Sequence, residues 1–448
     1  MARLVIVSNR VPPPRERATL AGGLAVALRE AIQGRETLWF GWSGATVADG
    51  EPVAPRISSN GRLTFATIDV GREAFRGYYE GFSNGMLWPL LHGRLELSRF
   101  SREDLAAYLA VNEAFARALA PLLRPDDTVW VHDYHLIPLG RALRDAGVSA
   151  RIGFFLHVPF PAQQIFDSMP QASELLRRFA AYDLIGVQNR ADARNLDDAF
   201  AAAGVDARAH AFPIGINADA FAAAARRAEG SPEKTRLEES LAGRALILGV
   251  DRLDYSKGIP ERFRGFAQLL ARFPEHRNRV TMLQIAPVSR GEVAQYRALR
   301  RELDELAGRI NGEHAEFDWV PLRYLTRATP RNTLAGFFRQ ARVGLVTPLR
   351  DGMNLVAKEY VAAQNPDDPG VLVLSRFAGA AAELDAAVIV NPHDPDETAE
   401  ALHTALTMTH DERRARWRRM QDAVERNTAA SWASAFLGTL EAPRARAA

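Results

Sequence analysis

GLVTPLRDGMNLVAKEYVAAQ, residues Gly344 to Gln364, is the stretch from which the rest of the chain can be read. It follows Val343, so a short apolar run, Val343 to Val346, comes first. A polar turn follows with Thr347, Pro348, Arg350, Asp351 and Gly352. A helical pattern then starts near Asn354, with Leu355, Val356, Tyr360 and Val361 on its buried side. This is a strand–loop–helix unit of an α/β protein, in which ligands sit beyond the strand's carboxyl end. Asp351 lies in the loop and Glu359 inside the helix. The first helical amides lack intrahelical acceptors and would point at an anion between the two acids. Taken alone, the stretch fits equally a generic Rossmann-type unit with surface carboxylates.

The wider composition narrows the class. At 448 residues the chain exceeds what one core usually serves, so two large α/β domains are expected. With 47% hydrophobic and 25% charged residues, it is not composed like a disordered protein. The net charge of +2 requires neither nucleic acid nor an acidic membrane as partner, while leaving room for local phosphate sites. Cysteine is absent, which removes disulfides, thiolate metal ligands and thiol nucleophiles. The opening MARLVIVSNRVPPP is too short in apolar residues for a signal peptide, and no apolar stretch approaches the roughly 20 residues of a membrane span. A cytoplasmic protein is expected.

Strands are expected at Arg3–Ser8, Trp39–Gly44, Thr128–His132, Arg151–Leu156, Leu184–Val187 and His210–Ile214. A second series is expected at Ala245–Val250, Val280–Ala286, Phe317–Val320, Val343–Thr347, Val371–Leu374 and Val388–Val390. Helical patterns between them imply parallel sheets. Gly230-Ser231-Pro232 breaks the composition, giving domains at 1–230 and 231–425 and a helical tail at 426–448 packing back on the first.

Several strand ends carry chemistry. Gly22 and Gly23 open a helical pattern and could admit a phosphate to backbone amides, or simply make a tight turn. Gly77 to Arg94 is a long, aromatic, glycine-punctuated loop of the kind that is often functional. His132-Asp133-Tyr134-His135 resembles a metal cluster, but alternate side chains at a strand end point to opposite faces and no further ligand set completes a shell. No metal is therefore expected there. Asp133 better suits a hydroxylated ligand. His157, before a proline-stiffened turn, could bind a ligand or cap its strand. In Asp251-Arg252-Leu253-Asp254-Tyr255-Ser256-Lys257-Gly258, Arg252 and Lys257 flank a turn leading to a helix and suit a diphosphate. Arg290 occupies a similar strand-end loop and suggests a second anion.

Read together, SNR at Ser8–Arg10, AGGL at Ala21–Leu24, WFGWSG, LWP, VHDYHL, GFFLHVPFP, DRLDYSKG, QIAPVSRGEV, AGRINGEH and the opening stretch resemble glycosyltransferase family 20 over about Arg3 to Asn427. The resemblance implies a retaining GT-B enzyme: two Rossmann-like parallel-sheet domains facing across a cleft. It implies transfer of glucose from a nucleoside-diphosphate glucose to glucose 6-phosphate, giving α,α-trehalose 6-phosphate, with no cofactor and no metal. Arg252 and Lys257 would neutralise the leaving diphosphate. Gly22, Gly23 and the segment Asn354, Leu355, Val356, Ala357, Lys358 and Glu359 would bind the donor, Glu359 taking the ribose. Asp351 and His157 would hold the donor glucose. Arg10, Tyr79 and Arg290 would grip the acceptor phosphate, with Trp42, Trp88 and Asp133 around its sugar. UDP-glucose is the expected donor, although the loop TRATPR at Thr326–Arg331 carries Thr329 where the family often has an aromatic, which leaves guanosine open. A sister activity using glycerol 3-phosphate, and a non-catalytic sugar-phosphate sensor, are the competing readings. Self-association is compatible with the sequence.

Overall fold

The computed structural model describes residues 3–12, 27–29, 32, 34–50, 54–288 and 294–442. Contacts divide the chain into two units: Met1–Ile214 with Ala430–Ala448, and Gly215–Ala429. The helix Ala218–Arg227 lies before the Gly230-Ser231-Pro232 break, yet packs on helices Arg331–Gln340 and Leu355–Ala363 of the second unit.

The first unit holds an eight-stranded sheet. Its strands are β1 (Leu4–Arg10), β2 (Thr37–Val47), β3 (Arg56–Asn60), β4 (Leu63–Gly71), β5 (Thr128–His132), β6 (Arg151–Phe155), β7 (Leu184–Val187) and β8 (Ala209–Ala211). The order is β3-β4-β2-β1-β5-β6-β7-β8, and only the β3–β4 pair is antiparallel. Leu4 to Val7 and Val129 to Val131 are completely buried, as expected of strands covered on both faces. Sequence reading did not anticipate β3 and β4. β3 is an exposed edge strand with a mixed polar sequence, RISSN, and offers no apolar period to detect.

The aromatic stretch Gly77–Arg94 is largely helical rather than a loop. Residues Arg76–Leu87 form a π-helix, continued by a short α-helix at Trp88–Leu91. Its glycines explain the fit. A Cβ on Gly77 would lie 2.6 Å from the Ala107 side chain, and one on Gly81 2.4 Å from the Asp104 carboxyl carbon, both on helix Arg102–Leu119. Wide helical turns of this kind recur at functional sites.

The tail contributes the helix Ala429–Glu441 to the first unit. Phe436 stacks on Trp130 with ring centroids 4.8 Å apart and meets Phe155 and Phe212 edge-on. Gly153 and Gly186 make the floor beneath it, since a Cβ on either would sit 2.8 Å from the Phe436 ring.

The second sheet has six strands: β9 (Ala245–Val250), β10 (Val280–Ile285), β11 (Leu322–Leu325), β12 (Val343–Val346), β13 (Val371–Ser375) and β14 (Val388–Val390). All pair in parallel, in the order β11-β10-β9-β12-β13-β14. The expected strand at Phe317–Val320 is a turn instead. Glu316 bridges to Trp319, Phe317 is 104% exposed, and only Trp319 turns inward, its Nε1 donating to the Val280 carbonyl at 2.9 Å. The strand begins after Pro321, where Leu322 pairs with Met282. This is the doubly wound Rossmann order, whose direction reverses between β9 and β12, and ligands bind at such switch points. The equivalent reversal in the first sheet lies between β1 and β5. No described helix is long and apolar enough to cross a membrane.

Truncation of Phe436 to alanine should leave a cavity on the glycine floor and cost about 3–5 kcal/mol of stability. Urea unfolding measures this, and a loss below about 1 kcal/mol would contradict the packing role.

Candidate active site

The second unit's site grows from its switch point. β9 is followed by Asp251 and the exposed Arg252. The chain then makes a short 3₁₀ turn, Tyr255–Lys257, fixed by Asp254: its Oδ1 accepts from the Ser256 amide at 3.0 Å and hydroxyl at 2.9 Å. Tyr296 donates to the other carboxylate oxygen at 3.0 Å. Gly258 ends the turn with φ +63, and a Cβ there would lie 2.4 Å from the Thr347 carbonyl oxygen. The two switch-point loops therefore touch. The Leu349 amide also donates to the Ser256 carbonyl at 2.8 Å.

The acids and bases meet across that contact. Lys257 Nζ donates to Asp351 Oδ2 at 2.5 Å, with both side chains mostly buried. Burial opposes the Lys257 charge, but the Asp351 and Asp251 carboxylates outweigh it and hold the ammonium above its usual range. Asn354 adopts a left-handed conformation at φ 89 and divides its amide. Its Nδ2 donates to Asp351 Oδ2 at 3.1 Å, and its Oδ1 caps the Ala357 amide at 3.3 Å. The amides of Leu355 and Val356 open the helix ahead of that cap, where amides have no intrahelical acceptor. Asp351 itself is pinned to the next loop, its amide donating to the Phe377 carbonyl and its carbonyl accepting from Gly379.

The rest of the helix divides its residues. Glu359 faces Arg331, whose guanidinium donates to Oε1 at 3.1 Å and lies 5.0 Å from the Phe221 ring centre. Lys358 points the other way: its side chain is fully buried and donates to Glu383 at 2.8 Å. Only its backbone is therefore positioned for a ligand at the helix start.

Sequence reading missed the residue that organises these loops. Arg262 is completely buried; it pairs with Asp251 at 2.9 Å and donates to Gln284 at 2.8 Å and to the Thr347 hydroxyl at 3.1 Å. Burial pushes the Asp251 carboxyl up, against the opposing charges of Arg262 and Lys257. The sequence signal was faint, one arginine among many in a helix.

In the first unit, Arg10 ends β1 with its guanidinium 5.9 Å from the Trp42 ring centre. It also lies over Gly44, where a Cβ would come within 2.8 Å of Arg10 Nε. Trp42, Phe75, Tyr79 and His135 form a run of stacked and tilted rings, Tyr79 lying 5.7 Å from His135 at 11°. Trp88 is buried and packs on His92 and Tyr134. Asn9, between Ser8 and Arg10, accepts from the Tyr78 hydroxyl at 2.8 Å, which ties the end of β1 to the π-helix. Asp133 has φ 76, a strained conformation for a side-chain-bearing residue, and its Oδ1 accepts from the His157 amide at 3.2 Å.

His157 sits in a directed chain. Gln188 Oε1 accepts from the Ile214 amide at 3.1 Å, so its Nε2 is the group 3.3 Å from His157 Nδ1. His157 therefore carries its proton on Nε2, which donates to His132 Nδ1 at 3.1 Å. Both ring nitrogens of His157 are thus engaged within the unit. Burial pushes His157 down to about 3 and His132 well below the usual imidazole range, so both are neutral near pH 7. Gly22, Gly23 and Arg290 lie outside the described residues.

Because the two folded-state values lie below the ordinary histidine value of about 6.5, the unfolded chain takes up these protons first. Their contribution to stability is full above about pH 6.5 and is lost as pH falls, for His157 down to about 3. The urea midpoint should drop between pH 7.5 and 5, and drop less in His132→Phe; an equal drop would exclude His132 as a source.

The family model for glycosyltransferase family 20 matches residues 2–442. A trehalose-6-phosphate synthase from Sinorhizobium fredii is 46% identical, covering 99% of both chains. A solved UDP-forming α,α-trehalose-phosphate synthase from Burkholderia xenovorans, in complex with glucose-6-phosphate, is 47% identical with a TM-score of 0.95, covering 98% of this chain and 100% of that one. An E. coli trehalose-6-phosphate structure bound with UDP-2-fluoro glucose is 44% identical with a TM-score of 0.92, covering 98% and 99% of the two chains. The two parallel-sheet α/β units have the GT-B class of these neighbours. On sequence and fold together, the chain belongs to glycosyltransferase family 20.

Proposed function

We propose that this chain is a retaining glucosyltransferase moving glucose from UDP-glucose to glucose 6-phosphate, with α,α-trehalose 6-phosphate as product. The observation that carries the reading is the Lys257–Asp351 pair at the β9–β12 switch point, facing the start of helix Leu355–Ala363. A lysine ammonium beside a helix start with free amides is the kind of crevice that suits a diphosphate. The solved relatives with glucose-6-phosphate and UDP-2-fluoro glucose support the two substrates.

In this reading the donor belongs to the second unit. Arg252, Lys257 and the Leu355 and Val356 amides take the diphosphate, Asp351 the glucose and Glu359 the ribose, with Gly22, Gly23 and His157 contributing from the first unit. The acceptor phosphate belongs to Arg10, Tyr79 and Arg290, and its sugar to Trp42, Trp88 and Asp133. The ring run from Trp42 to His135 supports a hexose rather than a three-carbon acceptor, since flat rings offer apolar area to a sugar face. Retention follows if the acceptor oxygen attacks the face that the diphosphate leaves. The departing phosphate oxygen then takes the acceptor proton, so no side-chain base is required. Fixed positive charge, rather than a divalent ion, stabilises the leaving group. A cytoplasmic location is part of the same reading.

Lys257→Ala should lower kcat/KM roughly a hundred- to a thousandfold in protein that still folds, while the unfolding midpoint also falls because Asp351 loses its buried partner. Near-normal turnover would exclude Lys257 from the charge-stabilising role. Arg290→Ala should act on the other substrate, raising the acceptor KM with a smaller effect on the donor KM; an unchanged acceptor KM would remove Arg290 from that site. The identity of both substrates is read from product formation with UDP- and GDP-glucose crossed against glucose 6-phosphate and glycerol 3-phosphate. Turnover only with glycerol 3-phosphate would overturn the proposal.

A further inference from the structure

The second sheet has a second cluster of ligating side chains, at the edge opposite the loops just described. Arg252, Lys257 and Asp351 follow the carboxyl ends of their strands. Glu275 and His276 instead lie in the 3₁₀ turn Pro274–His276, which leads into the amino end of β10. His403 approaches from the last turns of helix Pro395–Thr407. His276 Nε2 and His403 Nδ1 are 3.0 Å apart, and Glu275 Oε1 lies 3.6 Å from His403 Nδ1. One ligand atom from each of the three residues falls within 4.8 Å of the others, the only such group among the described residues.

We propose that Glu275, His276 and His403 bind a first-row transition-metal ion of the Zn²⁺ class, which nothing in the sugar-transfer reaction uses. Ligands about 2.0–2.1 Å from a tetrahedral ion lie roughly 3.4 Å from one another, close to the two separations seen. Two imidazole nitrogens with one carboxylate oxygen select Zn²⁺, Co²⁺, Ni²⁺ or Cu²⁺ over Mg²⁺ or Ca²⁺. Three protein ligands leave the fourth position to water on the open side, where Glu275 is exposed.

The surroundings fit that use. His276 is buried, which fixes its ring, and His403 stacks on Phe273 with centroids 4.2 Å apart at 13°. The nearby acids Asp396 and Glu400 are taken by Arg272, so Glu275 is the carboxylate aimed at the two rings. Without an ion, the 3.0 Å contact needs one N–H and one lone pair. Binding needs both lone pairs, so the proton moves to the other nitrogen of the same ring and neither ring loses net charge balance. The bound ion would clip the turn before β10 to helix Pro395–Thr407, joining segments far apart in sequence.

The test uses tag-free, chelator-treated full-length protein titrated with Co²⁺. One ion per chain should bind with a visible d–d absorption of tetrahedral intensity, and Zn²⁺ should displace it. Glu275→Gln changes an exposed side chain and should weaken Co²⁺ binding at least about tenfold while sparing sugar transfer. His403→Ala should abolish the absorption. Because losing the Phe273 stack could disturb the fold, His403→Phe serves as a second variant that keeps an aromatic ring. No absorption in the parent chain, or equal absorption in all the variants, would overturn the site.

Discussion

A single buried guanidinium holds the strand ends of the second unit in register. Arg262 rises from helix Ile259–Arg272 and reaches the carboxyl ends of three neighbouring strands. It meets Asp251 after β9, Gln284 on β10 and Thr347 after β12. Burying such a charge costs several kcal/mol unless its pair and its remaining donors are satisfied. Here a carboxylate, an amide oxygen, a hydroxyl and the Lys257 carbonyl all accept from it or face it. Gly249 provides the room, because a Cβ there would come within 2.2 Å of Gln284 Oε1 and 2.7 Å of Arg262. The loops bearing Arg252, Lys257 and Asp351 hang from these tied strand ends. Their mutual geometry is therefore set beneath them, by residues that need never touch a substrate.

That division explains what could be read from the sequence. The strand–loop–helix unit at Val343–Ala363, the parallel strand series and the acidic and basic loops were legible, because each is a local pattern. Asp351 and Lys257 belong to two separate local patterns, and the fold sets them side by side. Arg262 was not legible, since its meaning depends on three strand ends brought together only by topology. Lys358 was read with its neighbours, but the helix turns it inward to Glu383. Glu316 to Trp319 alternates polar and apolar residues as a strand does, yet the chain spends the segment on a turn that buries only Trp319. The Gly77–Arg94 stretch suggested a loop because its glycines read as breakers. In fact they are the face by which a π-helix packs against helix Arg102–Leu119.

The His132–His157–Gln188 chain illustrates a further limit. HDYH invited a metal reading and His157 a ligand reading, yet the proton direction along the chain is set by an amide, Ile214, well removed in sequence. No local motif carries that information. Burial keeps both rings neutral, so neither carries a fixed charge near pH 7. For His157 to serve a ligand through its ring, one of its two internal partners has to be exchanged for that ligand.

The same exchange logic governs the charged half. Lys257 is neutralised by Asp351, and Glu359 by Arg331. In the proposed roles the donor glucose takes Asp351 and the ribose takes Glu359, which releases Lys257 toward the diphosphate. An ammonium already satisfied by a carboxylate gains little from a weak anion. It gains most from one that arrives with a sugar able to occupy that carboxylate. In those proposed roles the pair would favour the intact nucleotide sugar over a free phosphate, because the sugar and the diphosphate would each bind better with the other present.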